Sequence, residues 1–194
     1  PIYIYGEEDG RFDTGDYILF YGRGSVVWKY DSSHNFYKHE NNPYSDYAYA
    51  FLTVDLGRGK RIERESCDGV PSENVETFID YQLVEEDTYN LNNMGATWFF
   101  DQYDVVLSRN YNFSFPNVVA SRKVVARAEM ASRNLSTAAS FVMSVNNVNI
   151  STVSFKAIGA SSKYTYAKTG NSGLVNFNPT SDNVTIKMTY NSTF

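Results

Sequence analysis

Apolar and polar residues alternate along much of the second half of the chain, which is the period of a β-strand with one buried face. In residues 184–190 every second position is apolar, and the positions between them are Thr or Lys. The same alternation recurs in three other stretches, at residues 111–115, 124–130 and 141–145. The pattern therefore predicts a set of half-buried strands in this half of the chain.

Turn residues separate these stretches. Asn146 and Asn147 lie between two apolar runs and predict a hairpin that returns over residues 148–155. Two further groups of Gly, Asn, Ser and Pro, at residues 170–173 and 178–182, are also typical of turns. Short strands joined by turns at this spacing favour a jelly-roll-like β-sandwich over residues 98–194.

The first half of the chain is also rich in strand patterns, but they are less regular. Candidate strands lie at residues 2–5, 16–21, 26–30, 47–55 and 60–65. Residues 75–84 fit both a helical face and a strand, and their β-branched and aromatic residues favour the strand. The predicted fold class is all-β with antiparallel strands, in which a β-rich half precedes the sandwich.

Composition excludes several classes of protein. Aromatic residues make up 16% of the 194 residues, which is too many for a disordered chain. No apolar run of about 18 residues is present, so no membrane span is expected. A single Cys excludes an internal disulfide and a zinc site built from several Cys residues. The chain begins with Pro1 rather than Met, so we expect a segment of a longer protein or a processed form.

Charge is distributed unevenly. Residues 1–97 hold 18 acidic and 8 basic residues, a net charge of −10, while residues 98–194 hold 4 acidic and 9 basic residues, a net charge of +5. This difference predicts an acidic domain over 1–97 and a second domain over 98–194, with a single domain as the alternative. The basic residues are scattered, so nucleic acid is not an expected partner.

One acidic loop is a candidate metal site. Asp9, Asp13 and Asp16 lie within eight residues together with Gly10 and Gly15, and calcium prefers oxygen ligands on such flexible acidic loops. The spacing is not that of an EF-hand. Tight turns whose Asp side chains accept backbone N–H groups are the preferred interpretation, and a calcium site is the alternative.

Catalytic chemistry has few candidates in this chain. His34 and His39 are five residues apart and both are assigned to loops, but no further zinc ligands can be identified. Cys67 lies in an acidic loop, which would raise rather than lower the pKa of its thiol. We therefore predict no catalytic residue here.

Aromatic residues are dense in the first half. Exposed rings stack on sugars, so Trp28, Tyr47 and Tyr49 are candidate binding residues. Packing between strands is the commoner use of Tyr, and it is the preferred interpretation.

Several motifs occur in a fixed order along the first hundred residues. They are EDGRFDTGDYILFYG at 8–22, VVW at 26–28, YSDYAY at 44–49, FIDY at 78–81 and EEDTYNL at 85–91, followed by Gly95 and Trp98. This series resembles the region upstream of the peptidase domain in gingipain-type cysteine peptidases, and is most similar to the type IX secretion system sortase group.

The resemblance implies a role without catalysis. In that family the catalytic His and Cys lie on a caspase-like domain downstream, and no residue of this chain matches them. A β-rich accessory region is implied, which packs against the peptidase domain of the same chain or recognises a secreted cargo protein. The implied location is the extracellular or outer-membrane surface of a bacterium. The alternative is a surface β-sandwich that binds carbohydrate or protein, with calcium as a stabilising ion.

Overall fold

The computed structural model describes residues 1–42, 44–54, 56–66, 68–93, 95 and 97–192. These residues form fourteen strands and one 3-10 turn, and every strand ladder among them is antiparallel. The predicted all-β antiparallel fold is therefore confirmed. No helix in the described part is long and apolar enough to cross a membrane.

The chain divides into two compact units, residues 1–79 (unit 1) and 80–194 (unit 2). The division lies closer to the N-terminus than the boundary expected from charge, at 97/98. The two predicted domains, and the single-domain alternative, stay predictions.

Unit 1 begins with a short antiparallel pair. Strand β1 (Ile2–Tyr5) pairs with β2 (Tyr17–Phe20), so the candidate strands at 2–5 and 16–21 both form. A 3-10 turn over Glu7–Asp9 follows β1, flanked by glycines with φ of 87° and 76°. Such positive φ angles suit Gly because other residues would be strained there. A parallel bridge joins Ile2 to Arg61 and brings a distant part of unit 1 beside β1.

A hairpin forms the second strand pair of unit 1. Strand β3 (Val26–Asp31) pairs with β4 (Phe36–Asn41), and Trp28 lies directly opposite His39. The assignment of His39 to a loop is therefore wrong. Rings at Tyr37 and His39 alternate with Lys38 and Glu40, and pairing of this stretch with β3 outweighs its polar composition.

Three of the predicted strands do not form ladders; two lie in unit 1, and the third spans the boundary between the units. The described residues of 47–55 and all of 75–84 are irregular, and 60–65 contributes only the bridge at Arg61. These predictions are wrong for the described residues, because strand propensity produces a strand only where a partner is available. Inside unit 2, the pair β5 (Tyr89–Asn90) and β6 (Trp98–Phe99) is short.

Unit 2 is built on a four-stranded sheet. Asn146 and Asn147 both have positive φ, 51° and 62°, as expected for the tight turn of a hairpin. The spatial order is β11–β10–β14–β7, in which the four strands are β7 (Ser108–Ser114), β10 (Ala139–Val145), β11 (Val148–Phe155) and β14 (Asn183–Ser192). Three of the four stretches predicted from alternation lie in β7, β10 and β14, and the fourth contains β8 and most of β9. The predicted Asn-Asn turn is confirmed as well.

Two shorter strand pairs accompany this sheet. They are β8 (Val124–Ala126) with β13 (Val175–Phe177), and β9 (Glu129–Ser132) with β12 (Lys168–Asn171). Of the turn predicted at residues 170–173, positions 170 and 171 instead belong to β12, and residues 172–174 connect β12 to β13. From β8 through β9 the less exposed side chains fall at every second position: Ala126, Met130 and Ser132 are buried, and Val124 and Ala128 are half-buried.

The core of unit 2 joins the four-stranded sheet to β8 and β9. Phe141 lies at its centre, with ring centroids 4.9 Å from Tyr190 and 5.2 Å from Tyr103. The buried members of the cluster are Ala126, Met130, Phe141, Met143, Phe155 and Met188. The sandwich arrangement and the jelly-roll connectivity stay predictions.

Candidate functional site

Trp28 lies on an aromatic face of the β3–β4 hairpin. Its ring centroid is 5.5 Å from that of His39, and the rings of Tyr30 and Tyr37, the next cross-strand pair on the same face, are 5.2 Å apart. Because side chains alternate along a strand, these four rings share one face of the hairpin. The hydroxyl of Tyr30 donates a hydrogen bond to Asn35 Oδ1 at 2.8 Å and fixes the ring near the turn.

Tyr47 lines an open groove of about 380 Å³ on unit 1. Lys29 Nζ and Glu40 Oε2 form an ion pair of 2.6 Å in the wall of this groove, and Asn41 and Asn42 complete that wall. The Lys29 ammonium lowers the pKa of the Glu40 carboxyl, mainly through this hydrogen bond. An aromatic ring beside charged and amide groups is able to contact a polar ligand that has one apolar face.

The three candidate binding residues do not share one surface. Lys29 alternates with Trp28 along β3, so the groove beside Tyr47 and the aromatic face with Trp28 lie on opposite faces of the hairpin. Tyr49 belongs to the irregular residues 47–54 and is exposed. Their binding role stays a prediction.

The acidic loop forms turns. Asp9 Oδ1 accepts the N–H of Arg11 at 2.9 Å, and Asp16 Oδ2 accepts the N–H of Asp13 at 2.7 Å. The Asp16 carboxylate also packs against Gly6, where an added Cβ would lie 1.9 Å from Oδ1. Among the described residues, no group of three His, Cys, Asp or Glu side chains is placed to hold a metal ion. Calcium at Asp9, Asp13 and Asp16 stays a prediction.

Both His residues contact neighbouring side chains of the β3–β4 hairpin. His34 lies in the turn between β3 and β4, where its Nδ1 is 2.8 Å from Asp31 Oδ2. This hydrogen bond is the largest cause of the lowered pKa of the Asp31 carboxyl. Cys67 lies outside the described residues, so its predicted lack of a catalytic role stays a prediction.

Unit 2 contains a polar network that sequence reasoning missed. The Tyr111 hydroxyl donates to Asp101 Oδ2 at 2.7 Å and therefore accepts from the Tyr103 hydroxyl at 2.9 Å. Arg109 lies 3.3 Å from Asp101 Oδ1 and also donates to the carbonyl of Gln102 at 3.1 Å. These contacts connect the irregular residues 101–103 to Arg109 and Tyr111 of β7.

Burial raises the pKa of both phenols in this network. Desolvation is the largest cause that raises the pKa of Tyr111, and its hydrogen bond to Asp101 adds to the effect. Desolvation also raises the pKa of Tyr103. A raised pKa keeps a phenol protonated, so both hydroxyls act in this network as hydrogen-bond donors.

The comparison with solved structures is the informative one. The chain matches no protein-family model and has no significant match among curated proteins. It is similar to a segment of latent PorU from Porphyromonas gingivalis, solved as a dimer by crystallography, with a TM-score of 0.67 and 20% sequence identity. The match covers 98% of this chain and 18% of that chain. At this identity the similarity shows the fold alone, and the present chain spans less than a fifth of that protein.

Proposed function

We propose that this chain is a non-catalytic accessory region of a type IX secretion sortase or a related gingipain-like cysteine peptidase. The observation that carries the proposal is the similarity of its fold, over 98% of its length, to a segment of latent PorU. The ordered motifs in residues 8–98 resemble the same group independently of the fold. The location that follows from the proposal is the cell surface of a bacterium.

The accessory region packs against the peptidase domain of the same polypeptide or recognises a secreted cargo protein. Unit 1 supports such a role, because none of its described side chains is buried and many of its large apolar side chains face solvent. Exposed apolar surface of this extent commonly marks a region that contacts another protein or domain.

The open reading frame that encodes this chain provides the first test. We expect a caspase-like domain carrying a catalytic His and Cys within the few hundred residues that follow. In the full-length protein, Cys67→Ser should leave peptidase activity intact, while substitution of the downstream catalytic Cys should abolish it. A reading frame without such a domain, or a large loss of activity in the Cys67→Ser variant, would contradict the proposal.

A second candidate function is carbohydrate binding at the groove beside Tyr47. The observation that favours it is the combination of an exposed ring with the Lys29–Glu40 pair and two Asn side chains. Affinity electrophoresis in gels that contain polysaccharide would measure it. Tyr47→Ala should remove retardation of the protein, whereas Tyr164→Ala, at an exposed ring in unit 2, should not. Equal mobility with and without polysaccharide contradicts this function.

A further inference from the structure

Strand β7 lies at one edge of the four-stranded sheet of unit 2, and no strand in the part of the chain that the structure describes pairs with its outer side. The backbone groups of Leu107 and Phe115, at its two ends, are hydrogen-bonded on the side of β14. Because these groups alternate in direction along an antiparallel strand, the N–H and C=O groups of Ser108, Asn110 and Asn112 point away from the sheet. Such an edge readily pairs with another strand unless something covers it.

One side chain already occupies the end of this edge. The Gln82 carboxamide accepts the N–H of Ser114 at Oε1, at 3.3 Å, and donates from Nε2 to the carbonyl of the same residue. A neighbouring strand would make the same two hydrogen bonds through its backbone. Gln82 therefore substitutes for a peptide group at this position, and it holds the start of residues 82–88 (the strap) beside β7.

The path of the chain takes the strap along β7 in the antiparallel direction. Gln82 lies at the C-terminal end of β7. Directly after the strap, Tyr89 pairs with Phe99, two residues before Asp101, whose carboxylate contacts Arg109 in the first half of β7. The strap and β7 each contain seven residues, which span about 23 Å when extended. No Pro or Gly interrupts the strap, so its length, direction and sequence match the uncovered edge.

We propose that the strap closes on the outer edge of β7 as an antiparallel fifth strand of this sheet. The contact of Gln82 with Ser114 sets the register, in which the backbones of these two residues pair directly. Val84 then pairs with Asn112, and each further pair follows at the same offset. The strap and β7 both belong to unit 2, so this inference concerns one unit and does not rest on the proposed function.

Two pairs of facing side chains favour this register. Leu83, which is 36% exposed in the structure, falls opposite the half-buried ring of Phe113, and their contact would remove apolar surface from water. Asp87 falls opposite Arg109, whose buried Nε has no hydrogen-bond partner among the described residues. A carboxylate at this position would supply the acceptor that the guanidinium lacks.

Local interactions hold the strap open in the structure. The Gln82 side chain occupies the two groups of β7 that the Gln82 backbone would use. The N–H of Thr88 donates to the Glu86 carbonyl at 2.9 Å, which forms a tight turn at the other end of the strap. Closure also sets the Glu85 carboxylate opposite the half-buried Tyr111, which opposes it. The open strap leaves the edge of β7 available to a strand of another protein, and the closed strap covers it.

Amide hydrogen exchange of the 194-residue chain, followed by NMR, tests closure. Gln82→Val removes the competing carboxamide, so the amides of Asn110 and Asn112 should exchange at least tenfold more slowly than in the wild-type chain. Gln102→Val is the matched control at an exposed residue outside the strap, and it should leave both rates unchanged. The Tyr111 amide points towards β14 and reports that the sheet is intact. Unchanged or faster exchange in Gln82→Val with Tyr111 protected, or equal slowing in both variants, overturns the proposal.

Disulfide trapping tests the register in variants that keep Gln82. In a Cys67→Ser background, Val84→Cys with Asn112→Cys places two thiols on directly paired residues, within the Cα separation that a disulfide accepts. Val84→Cys with Ser108→Cys is the matched control, because four residues of β7 separate position 108 from position 112, about 13 Å along the strand. Oxidation in a glutathione buffer, followed by mass spectrometry, should show an intramolecular disulfide only in the first pair. Equal crosslinking of both pairs, or of neither, overturns the proposed strand.

Discussion

The two units of this chain stabilise their antiparallel strand pairs differently: unit 2 has a buried apolar core, and the described part of unit 1 has none. Every described hydrophobic side chain that is buried belongs to unit 2, where Phe141 and Met143 anchor a core between the sheet and the shorter strand pairs. Unit 1 has ladders of four to six residues and no buried side chain among those described. Its contacts are turns, ring pairs and ion pairs such as Arg61 with Glu7.

The difference in burial predicts a difference in the free energy of unfolding between the two units. Burial of apolar surface is the dominant favourable contribution to folding, whereas exposed ion pairs contribute little. A pair of strands without a buried face is marginally stable in water. We therefore expect unit 2 to unfold at a higher temperature and a higher urea concentration than unit 1. Each unit contains one Trp, Trp28 in unit 1 and Trp98 in unit 2, so replacing either by Phe leaves a fluorescent reporter for the other.

The largest effect is expected in the core of unit 2. Met143 is 2% exposed, so Met143→Ala removes a fully enclosed side chain and leaves a cavity. We expect a loss of about 2–5 kcal/mol in the free energy of unfolding, measured by urea titration of Trp98 fluorescence. Val148→Ala, at an exposed position of β11, should cost less than about 0.5 kcal/mol. Similar costs for both substitutions would show that unit 2 does not depend on this core.

The next effect concerns the backbone of unit 1. Gly6 has a φ of 87°, and a Cβ there would lie 1.9 Å from Asp16 Oδ1. Gly6→Ala therefore combines left-handed strain with a collision, and we expect a loss of about 2 kcal/mol or more, measured through Trp28.

Gly10→Ala is its matched control, because Gly10 has a φ of 76° and open space where the Cβ would lie. We expect only the left-handed strain there, roughly 1 kcal/mol. Equal losses at the two positions would show that the contact with Asp16 has no part in holding the turn.

The pH dependence of unit 1 gives a smaller effect. The hydrogen bonds from Arg61 are the main cause that lowers the pKa of the Glu7 carboxyl from its ordinary 4.5. A lowered folded-state pKa contributes stability above the unfolded pKa, and this contribution is lost as the pH falls through the folded pKa. We expect the melting temperature of unit 1 to fall below about pH 4.5, and Glu7→Gln to make that fall shallower.

Other carboxyls of unit 1 act in the same direction. Lowered pKa values of Asp31 and Glu40 leave some acid sensitivity in the Glu7→Gln variant. Thermal melts between pH 3 and 7, followed by Trp28 fluorescence, measure the difference between the two proteins. Identical pH profiles would argue that the Arg61–Glu7 pair contributes nothing to unit 1.

Calcium should give the smallest effect. If Asp9, Asp13 and Asp16 bind it, an exposed site of millimolar affinity would raise the melting temperature of unit 1 by about 2 °C in 1 mM calcium. Melts in calcium and in chelator measure this, and Asp13→Asn should remove the difference. Identical melting temperatures in the wild-type chain would leave turn formation as the role of these residues.

The sequence predictions are most accurate where a strand has one buried face. In β10 and β14 the alternation of apolar residues matches the buried face, and Asn146–Asn147 forms the expected turn. A strand with one dry face has its register specified by its own sequence, because a shift of one residue would expose every apolar side chain. Such strands are therefore predictable from pattern alone.

Unit 1 shows where pattern is insufficient. Residues 47–54 have strand propensity without a strand ladder, and β4 forms a ladder although its sequence is polar. Pairing in both cases depends on which segments come together, and single-sequence alternation contains no information on that. The contact of Asp101 with Tyr111 was missed for the same reason, since it depends on the path of the irregular residues before β7.

Oxidation of the methionine sulfur atoms in the core of unit 2 reports how often this core opens to solvent. Met130, Met143 and Met188 are three of the four methionines of the chain, and all three are buried. Oxidation by peroxide would convert each thioether to a polar, chiral sulfoxide that the closed core does not accommodate. Sulfoxide at these three positions, measured by peptide mass spectrometry, would therefore accumulate in proportion to the fraction of molecules in which the sheet has separated from β8 and β9 and admits the oxidant.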